Sequence, residues 1–195
     1  MEKQAYIFIG RSGCGKGTQV KLFIDQLKQQ GRSVFNFETG SKFREFIQGK
    51  TYSSQLAKKI NDGGELQPMF LALSLWSTAL IENLKENEDL LLDGTPRKKD
   101  QADVLHSVFE FYDYKKPKVV YINVSKEWAE ERLLARGRDD DQIEKIKKKM
   151  VWFVEDVVPV LDFYKNHLGY EFLDINGEQT IEEVHKEIIG KVLNK

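Results

Sequence analysis

Apolar positions along the chain fall into two alternating patterns. Compact apolar runs of strand length lie at Ala5 to Ile9, Val34 to Phe37, Leu90 to Leu92, Val119 to Val124 and Tyr170 to Leu173. Most are rich in Val, Ile, Phe or Tyr, as strands are. Between them lie longer segments whose apolar residues recur at helical spacing. Gly17 to Gln30 carries Val20, Leu22, Phe23 and Leu27. Pro68 to Asn87 carries Phe70, Leu71, Leu73, Leu75, Leu80, Ile81 and Leu84, with Pro68 suited to a first helical turn. Ser125 is placed to cap a helix over Lys126 to Arg136, and Asp141 with Glu144 to cap the next. Thr180-Ile181-Glu182-Glu183 reads as a capping box opening the last helix. The stretch from Gly40 to Gly64 shows no strand pattern and predicts two short helices, Ser41 to Gln48 and Tyr52 to Asp62.

Strands alternating with helices predict parallel βαβ units in an α/β fold. The near-continuous apolar strands fit a sheet buried on both faces. About five strands suffice for one doubly wound parallel sheet flanked by helices. No internal repeat or linker interrupts the pattern.

Composition narrows the classes. The chain has 195 residues, 30 basic and 31 acidic, for a formal net charge of −1. There is no basic excess to drive nucleic-acid binding and no apolar run near the length of a membrane span. One cysteine cannot form an internal disulfide, which predicts a reducing, cytoplasmic setting. The expectation is a monomer, because no long exposed apolar stripe is evident.

The most informative stretch is Gly10-Arg11-Ser12-Gly13-Cys14-Gly15-Lys16-Gly17-Thr18, which follows the first strand and opens the first helix. Glycines let the backbone curl so that successive N–H groups point inward at an anion, and the helix N-terminus adds its positive end. Lys16 can reach outer phosphates, and a hydroxyl can serve the metal or an inner phosphate. The strict pattern has Ser or Thr directly after the lysine; here Gly17 intervenes before Thr18. A glycine-rich turn that merely joins strand to helix is the bland alternative, and four glycines with a lysine in nine residues argue against it.

That Gly-Lys-Gly-Thr variant resembles the adenylate kinases of the nucleoside monophosphate kinase family, and further motifs agree in order. Thr39-Gly40-Ser41-Lys42-Phe43-Arg44 is similar to the family's Thr-Gly-Asp-x-x-Arg, and Gly64-Glu65-Leu66-Gln67-Pro68 to its Gly-x-Leu-Val segment. Asp93-Gly94-Thr95-Pro96-Arg97 with Gln101 resembles Asp-Gly-Phe-Pro-Arg and its downstream Gln. Glu131 to Arg136 resembles the helix with two nucleotide arginines, and Arg138 with Asp140 and Asp141 the Gly-Arg-x-Asp-Asp element.

The resemblance implies a P-loop NTPase-type fold and Mg²⁺-dependent phosphoryl transfer between ATP and AMP, giving two ADP. It also implies roles. Gly13, Cys14, Gly15, Lys16, Gly17 and Thr18 would hold the ATP phosphates, Arg132 would stack on the ATP adenine, and Arg136 and Arg138 would clamp the transferring group. Arg44 and Arg97 would hold the AMP phosphate. Thr39 and Gln101 would choose adenine, with Gly40, Glu65, Gln67 and Gly94 lining that pocket. Asp93 would orient Mg²⁺ through water. Lys149 aligns with an arginine that reaches the phosphates, so the catalytic set reads Lys16, Asp93, Arg97, Arg136, Arg138 and Lys149, with Arg138 and Lys149 also on the AMP side. Residues 1–195 would form one domain, with residues 39–68 as a helical AMP-binding insert and 136–141 as a vestigial lid.

Departures matter as much. Only Gly137 separates Arg136 from Arg138, so the segment that folds over ATP in the family is almost absent. The expectation is a near-fixed arginine frame, closure by the helices of Ser41 to Asp62, and either more ATP hydrolysis without AMP or weaker ATP binding. Lysine at 149 loses the guanidinium fork, and Lys145, Lys147 and Lys148 beside it read as a solvated helix face. Cys14 reads as a small residue tolerated in the loop, although a helix N-terminus and Lys16 would favour its thiolate. Trp76, Trp128 and Trp152 read as packing residues. His106, His167 and His185 lack ligand spacing. Phe109, Phe111, Tyr112 and Tyr114 read as core and rim. Competing functions are a UMP/CMP or deoxynucleoside monophosphate kinase and a non-catalytic nucleotide sensor. A switch GTPase is poorer, since no Asn-Lys-x-Asp element occurs.

Overall fold

The computed structural model describes residues 2–138 and 140–193. Among these, β1 (Ala5–Ile9), β2 (Val34–Glu38), β3 (Asp89–Asp93), β4 (Lys118–Asn123) and β5 (Glu171–Asn176) form one parallel sheet in the order β2-β3-β1-β4-β5. Each predicted strand is present, with ends shifted by a few residues at most. The helices are α1 (Lys16–Gln29), α2 (Thr39–Phe46), α3 (Tyr52–Asp62), α4 (Met69–Asn83), α5 (Lys99–Phe111), α6 (Lys126–Arg136), α7 (Ile143–Trp152), α8 (Val158–Asn166) and α9 (Ile181–Val192). A π-helical segment, Phe153–Val157, joins α7 to α8.

Strand pleating explains the apolar runs. In β1, Ile7 and Ile9 point to one face, where Trp76 and Leu80 of α4, Phe109 of α5 and Tyr164 of α8 cover them. Tyr6 and Phe8 point to the other, against Val20, Phe23 and Leu27 of α1, Leu133 of α6 and Ile188 of α9. All five residues of β1 and of β3 are buried, as expected of central strands covered on both sides. A smaller cluster of Ile47, Ala57 and Leu71, flanked by Phe43 and Phe46, packs beneath α2, α3 and the start of α4.

Local chemistry set several helix starts. The Ser125 hydroxyl accepts the Trp128 N–H, Thr51 accepts Ser54 N–H, and Thr180 with Glu183 forms the expected capping box. Three expectations change. The cap of α7 is Gln142 rather than Asp141, because the Asp141 carboxylate is held by cationic side chains instead. The helix from Pro68 stops at Asn83 rather than Asn87, where Leu84 turns extended and Glu88 accepts the Lys85 N–H to lead the chain into β3. The Ser41 to Gln48 helix begins two residues earlier, directly off β2. The sequence pattern does not predict α5, nor the π-helical turn and α8 that continue α7. Phe109 and Tyr114 are core, while Phe111 is 80% exposed.

The order places β1 between β3 and β4, so the chain crosses over β1 on its way from β3 to β4. A crevice forms outside the carboxyl ends of strands at such a reversal. The glycine loop, Thr39 and Asp93 all lie at strand C-terminal ends, bordering one cleft of about 1380 Å³.

Candidate nucleotide site

The glycine loop is built by backbone geometry. Gly13 and Gly15 have φ of 91° and 89°, a region costly to residues with a Cβ. Gly15 caps α1, whose first residue is Lys16. The Lys16 ammonium spans the loop, donating to the carbonyls of Gly10 at 2.7 Å and Arg11 at 3.1 Å. Gly13 rests on α6 so closely that an added Cβ would lie 2.5 Å from the Ala129 carbonyl oxygen and 3.0 Å from Leu133 Cγ. Ser12, Gly13, Gly15, Lys16, Gly17 and Thr18 line the cleft. Cys14 instead turns inward and is buried in the core, its Sγ 3.5 Å from Lys16 Nζ.

β3 delivers Asp93, and the turn after it delivers Arg97. The Asp93 carboxyl is pushed above its ordinary value by burial, opposed by Lys16 and, further down, by Arg97 and Arg44, with Glu38 adding to the rise. Burial pushes the Arg97 guanidinium down, while the Asp93 charge supports it. Arg97 Nε donates to the Gly94 carbonyl at 2.9 Å, and its guanidinium lies 5.3 Å from the centre of the Trp152 ring. The Arg97 backbone N–H donates to Gln101 Oε1 at 2.8 Å, which fixes the orientation of that buried amide. Arg44 of α2 pairs with Glu38 at 2.9 Å. Thr39, the first residue of α2, is buried, and its hydroxyl has no partner among the described residues.

Arg136, Arg138 and Lys149 converge on Asp141. Its carboxylate accepts Nε and an amino group of Arg136 at 2.8 Å each, Lys149 Nζ at 3.1 Å, and the Arg138 backbone N–H at 3.2 Å. Burial raises the Asp141 carboxyl, but hydrogen bonds and charges from Arg136 and Lys149 outweigh it and hold the group at about 2. Lys149 also donates to the Asp140 carboxylate at 2.6 Å and its carbonyl at 2.7 Å. Burial raises the Asp140 carboxyl too, and Lys149 more than reverses that.

The structure thus brings Lys16, Thr39, Gly40, Arg44, Glu65, Gln67, Asp93, Gly94, Arg97, Gln101, Arg132, Arg136, Arg138 and Lys149 to one cleft. Some contributors were hidden in the sequence. Trp128 is more than a packing residue, since Arg132 stacks on it with Cζ 3.8 Å from the ring centre; the i, i+4 spacing on one helix was the available signal. Trp152 likewise faces Arg97. Lys148 is not simply solvated, because it donates to the Gly63 carbonyl at 2.7 Å, and Lys145 packs against Gly64. These two lysines tie α7 to the loop after α3.

The chain is similar to known proteins over nearly its whole length. The adenylate kinase family matches residues 8–168. An adenylate kinase from Campylobacter hominis is 33% identical over 198 residues, covering 99% of this chain and 97% of the relative. Adenylate kinase 1 from a Nostoc species is 32% identical, covering 93% and 95%. An adenylate kinase from Corynebacterium urealyticum is 31% identical, covering 91% and 93%. With a glycine loop at the switch point of a parallel sheet and arginines gathered around it, the chain belongs to the adenylate kinase family.

Proposed function

We propose that the chain catalyses reversible, Mg²⁺-dependent transfer of a phosphoryl group from ATP to AMP, giving two ADP. One observation carries the reading. Lys16, Arg44, Arg97, Arg132, Arg136, Arg138 and Lys149 all line the cleft that holds the glycine loop and Asp93. Phosphoryl transfer asks for little covalent chemistry; it needs two phosphate chains held in line, charge matched by cations, and water excluded.

The loop N–H groups hold the donor phosphates, and Lys16 exchanges its carbonyl partners for β- and γ-phosphate oxygens. Arg136 and Arg138 clamp the moving group. Arg44 and Arg97 hold the acceptor phosphate, where planar guanidinium forks suit bidentate contact. Lys149 stands beside them as a point charge, directed by Asp140 and Asp141. Gln101 and Thr39 read the acceptor base. The Gln101 oxygen accepts from the Arg97 N–H, so its amide N–H groups point toward a ring nitrogen, and the Thr39 hydroxyl supports the reading by having no partner among the described residues. Residues 39–68 act as the AMP-binding insert and residues 136–141 as a vestigial lid.

Among the described residues, no group of three His, Cys, Asp or Glu side chains is arranged to hold a metal. Asp93 alone fits magnesium, which keeps most of its waters and shares phosphate oxygens. When bound, the ion would neutralise charge on the donor phosphates. Asp93 would hold its water shell, and burial beside Lys16 and Arg97 keeps that carboxylate in place. Among the described residues no helix is long and apolar enough to cross a membrane. The single cysteine, buried Cys14, supports a reducing cytoplasmic setting.

The test is product analysis after mixing the protein with Mg-ATP and each monophosphate in turn, beside a Lys16→Ala control and a blank without acceptor. ADP formed with AMP alone and lost in the control is the expected outcome. Equal turnover of UMP or CMP would reject the base assignment, and nucleotide binding without transfer would reject the enzyme reading in favour of a sensor.

A further inference from the structure

α6 carries two parallel ridges one residue apart. On one, Ala129 and Leu133 form the surface against which Gly13 of the glycine loop rests. On the other, Trp128 and Arg132 stack, the guanidinium carbon 3.8 Å from the ring centre. Trp128 is fixed at its backbone and its ring: its main-chain N–H donates to the capping Ser125 hydroxyl, and its ring packs at the edge of the second core. Arg132 itself is exposed and lines the cleft. A guanidinium flattened on an indole has one face covered and the other open, and an arginine plane is a stacking surface for a nucleobase.

We infer that Trp128 is a positioning residue for donor-base binding: it backs Arg132 so that the ATP adenine completes a three-layer stack of indole, guanidinium and base. The inference rests on the donor-site reading given above. An unbacked arginine on a helix surface loses rotamer freedom when a base stacks on it. The indole face, the strongest aromatic partner of a guanidinium, removes most of that loss beforehand. In a chain whose lid is reduced to Gly137 between Arg136 and Arg138, this rigid backing takes over part of the grip on the donor base.

The test separates base from phosphates by comparing ATP with inorganic tripolyphosphate, which carries no base, as a competitive inhibitor. For Trp128→Leu, KM for ATP should rise about tenfold, a difference of about 1.4 kcal/mol. kcat, KM for AMP and the inhibition constant of tripolyphosphate should stay within twofold. Trp128→Phe should recover most of the ATP affinity. In Trp152→Phe, which removes the indole beside Arg97 and keeps Trp128, ATP should change indole fluorescence and tripolyphosphate should not. The inference is overturned if Trp128→Leu leaves KM for ATP unchanged, if it weakens ATP and tripolyphosphate equally, or if both ligands change the fluorescence alike. Arg132→Leu tells the two readings apart. If it leaves ATP affinity unchanged, the donor-site reading itself fails; if it weakens ATP and Trp128→Leu does not, only the role of Trp128 fails.

Discussion

Asp141 grips Arg136 with both carboxylate oxygens, at 2.8 Å each, while the same carboxylate receives Lys149 at 3.1 Å. One fully buried acid therefore sets the direction of two cleft cations. Replacing it by Asn keeps the shape but removes the charge. Each charge-assisted bond is worth about 1.5–3 kcal/mol, so Asp141→Asn should lower kcat by about tenfold to a hundredfold and depress the melting temperature. Steady-state kinetics with thermal melts check both, and unchanged kcat would show that the two cations do not depend on Asp141.

The same carboxyl predicts an acid limit. Its folded value of about 2 lies below the unfolded carboxylate value of about 3.9. The native state therefore binds the proton more weakly than the unfolded state. The resulting stabilisation is present in full above about pH 4 and is lost as pH falls through 2. Its size is on the order of 2 kcal/mol. Urea unfolding at pH 5 and pH 2.5 should show the wild type losing more stability than Asp141→Asn; equal losses would refute it.

Two glycines of the loop should behave oppositely. A Cβ at Gly13 would lie 2.5 Å from the Ala129 carbonyl oxygen, and its φ is 91°. Gly17, inside α1, has nothing within 4 Å of the added carbon. Gly13→Ala should destabilise the fold by at least the ~1–2 kcal/mol of a left-handed residue and abolish ATP binding. Gly17→Ala should keep or slightly raise the melting temperature, as alanine does in a helix. Parallel melts decide, and similar shifts for the two would reject the geometry.

Lys148 bridges α7 to the loop after α3 through the Gly63 carbonyl at 2.7 Å. Lys148→Met should release that wall of the cleft, raising KM for AMP a few-fold while ATP affinity holds. Kinetics with each nucleotide varied in turn check this, and an equal effect on both would count against it. The same experiment, read for phosphate released without AMP, measures how well a site with a reduced lid keeps water out.

Much of this was legible in one sequence, for identifiable reasons. Strands buried on both faces must be apolar throughout, so β1 and β3 announced themselves. Caps at Ser125, Thr51 and Thr180 are short-range chemistry, and the two that the sequence pointed to were placed correctly. The glycine loop is legible because only glycine serves at Gly13 and Gly15. What stayed hidden depends on long-range geometry. Asp141 carries the signature of a helix cap, yet Arg136 and Lys149 converge on it only once α6 and α7 are packed. Lys145 and Lys148 look like a solvated face until the loop at Gly64 is folded against them. Cys14 sits in a loop motif but faces the core, a direction no spacing rule encodes. α5 lacked a recognised start, because its cap is Lys98 with no side-chain bond.

The cleft carries ten lysines and arginines against six carboxylates among its lining residues, while the chain as a whole has a net charge of −1. The rest of the chain is therefore net negative. A nucleotide approaching the back of the molecule is repelled, and one approaching the mouth is drawn in along field lines that the low-dielectric walls concentrate. The protein is in this sense a directional collector of anions. Its capture rate, unlike its chemical step, should fall steeply once added salt shortens the screening length below the width of the cleft.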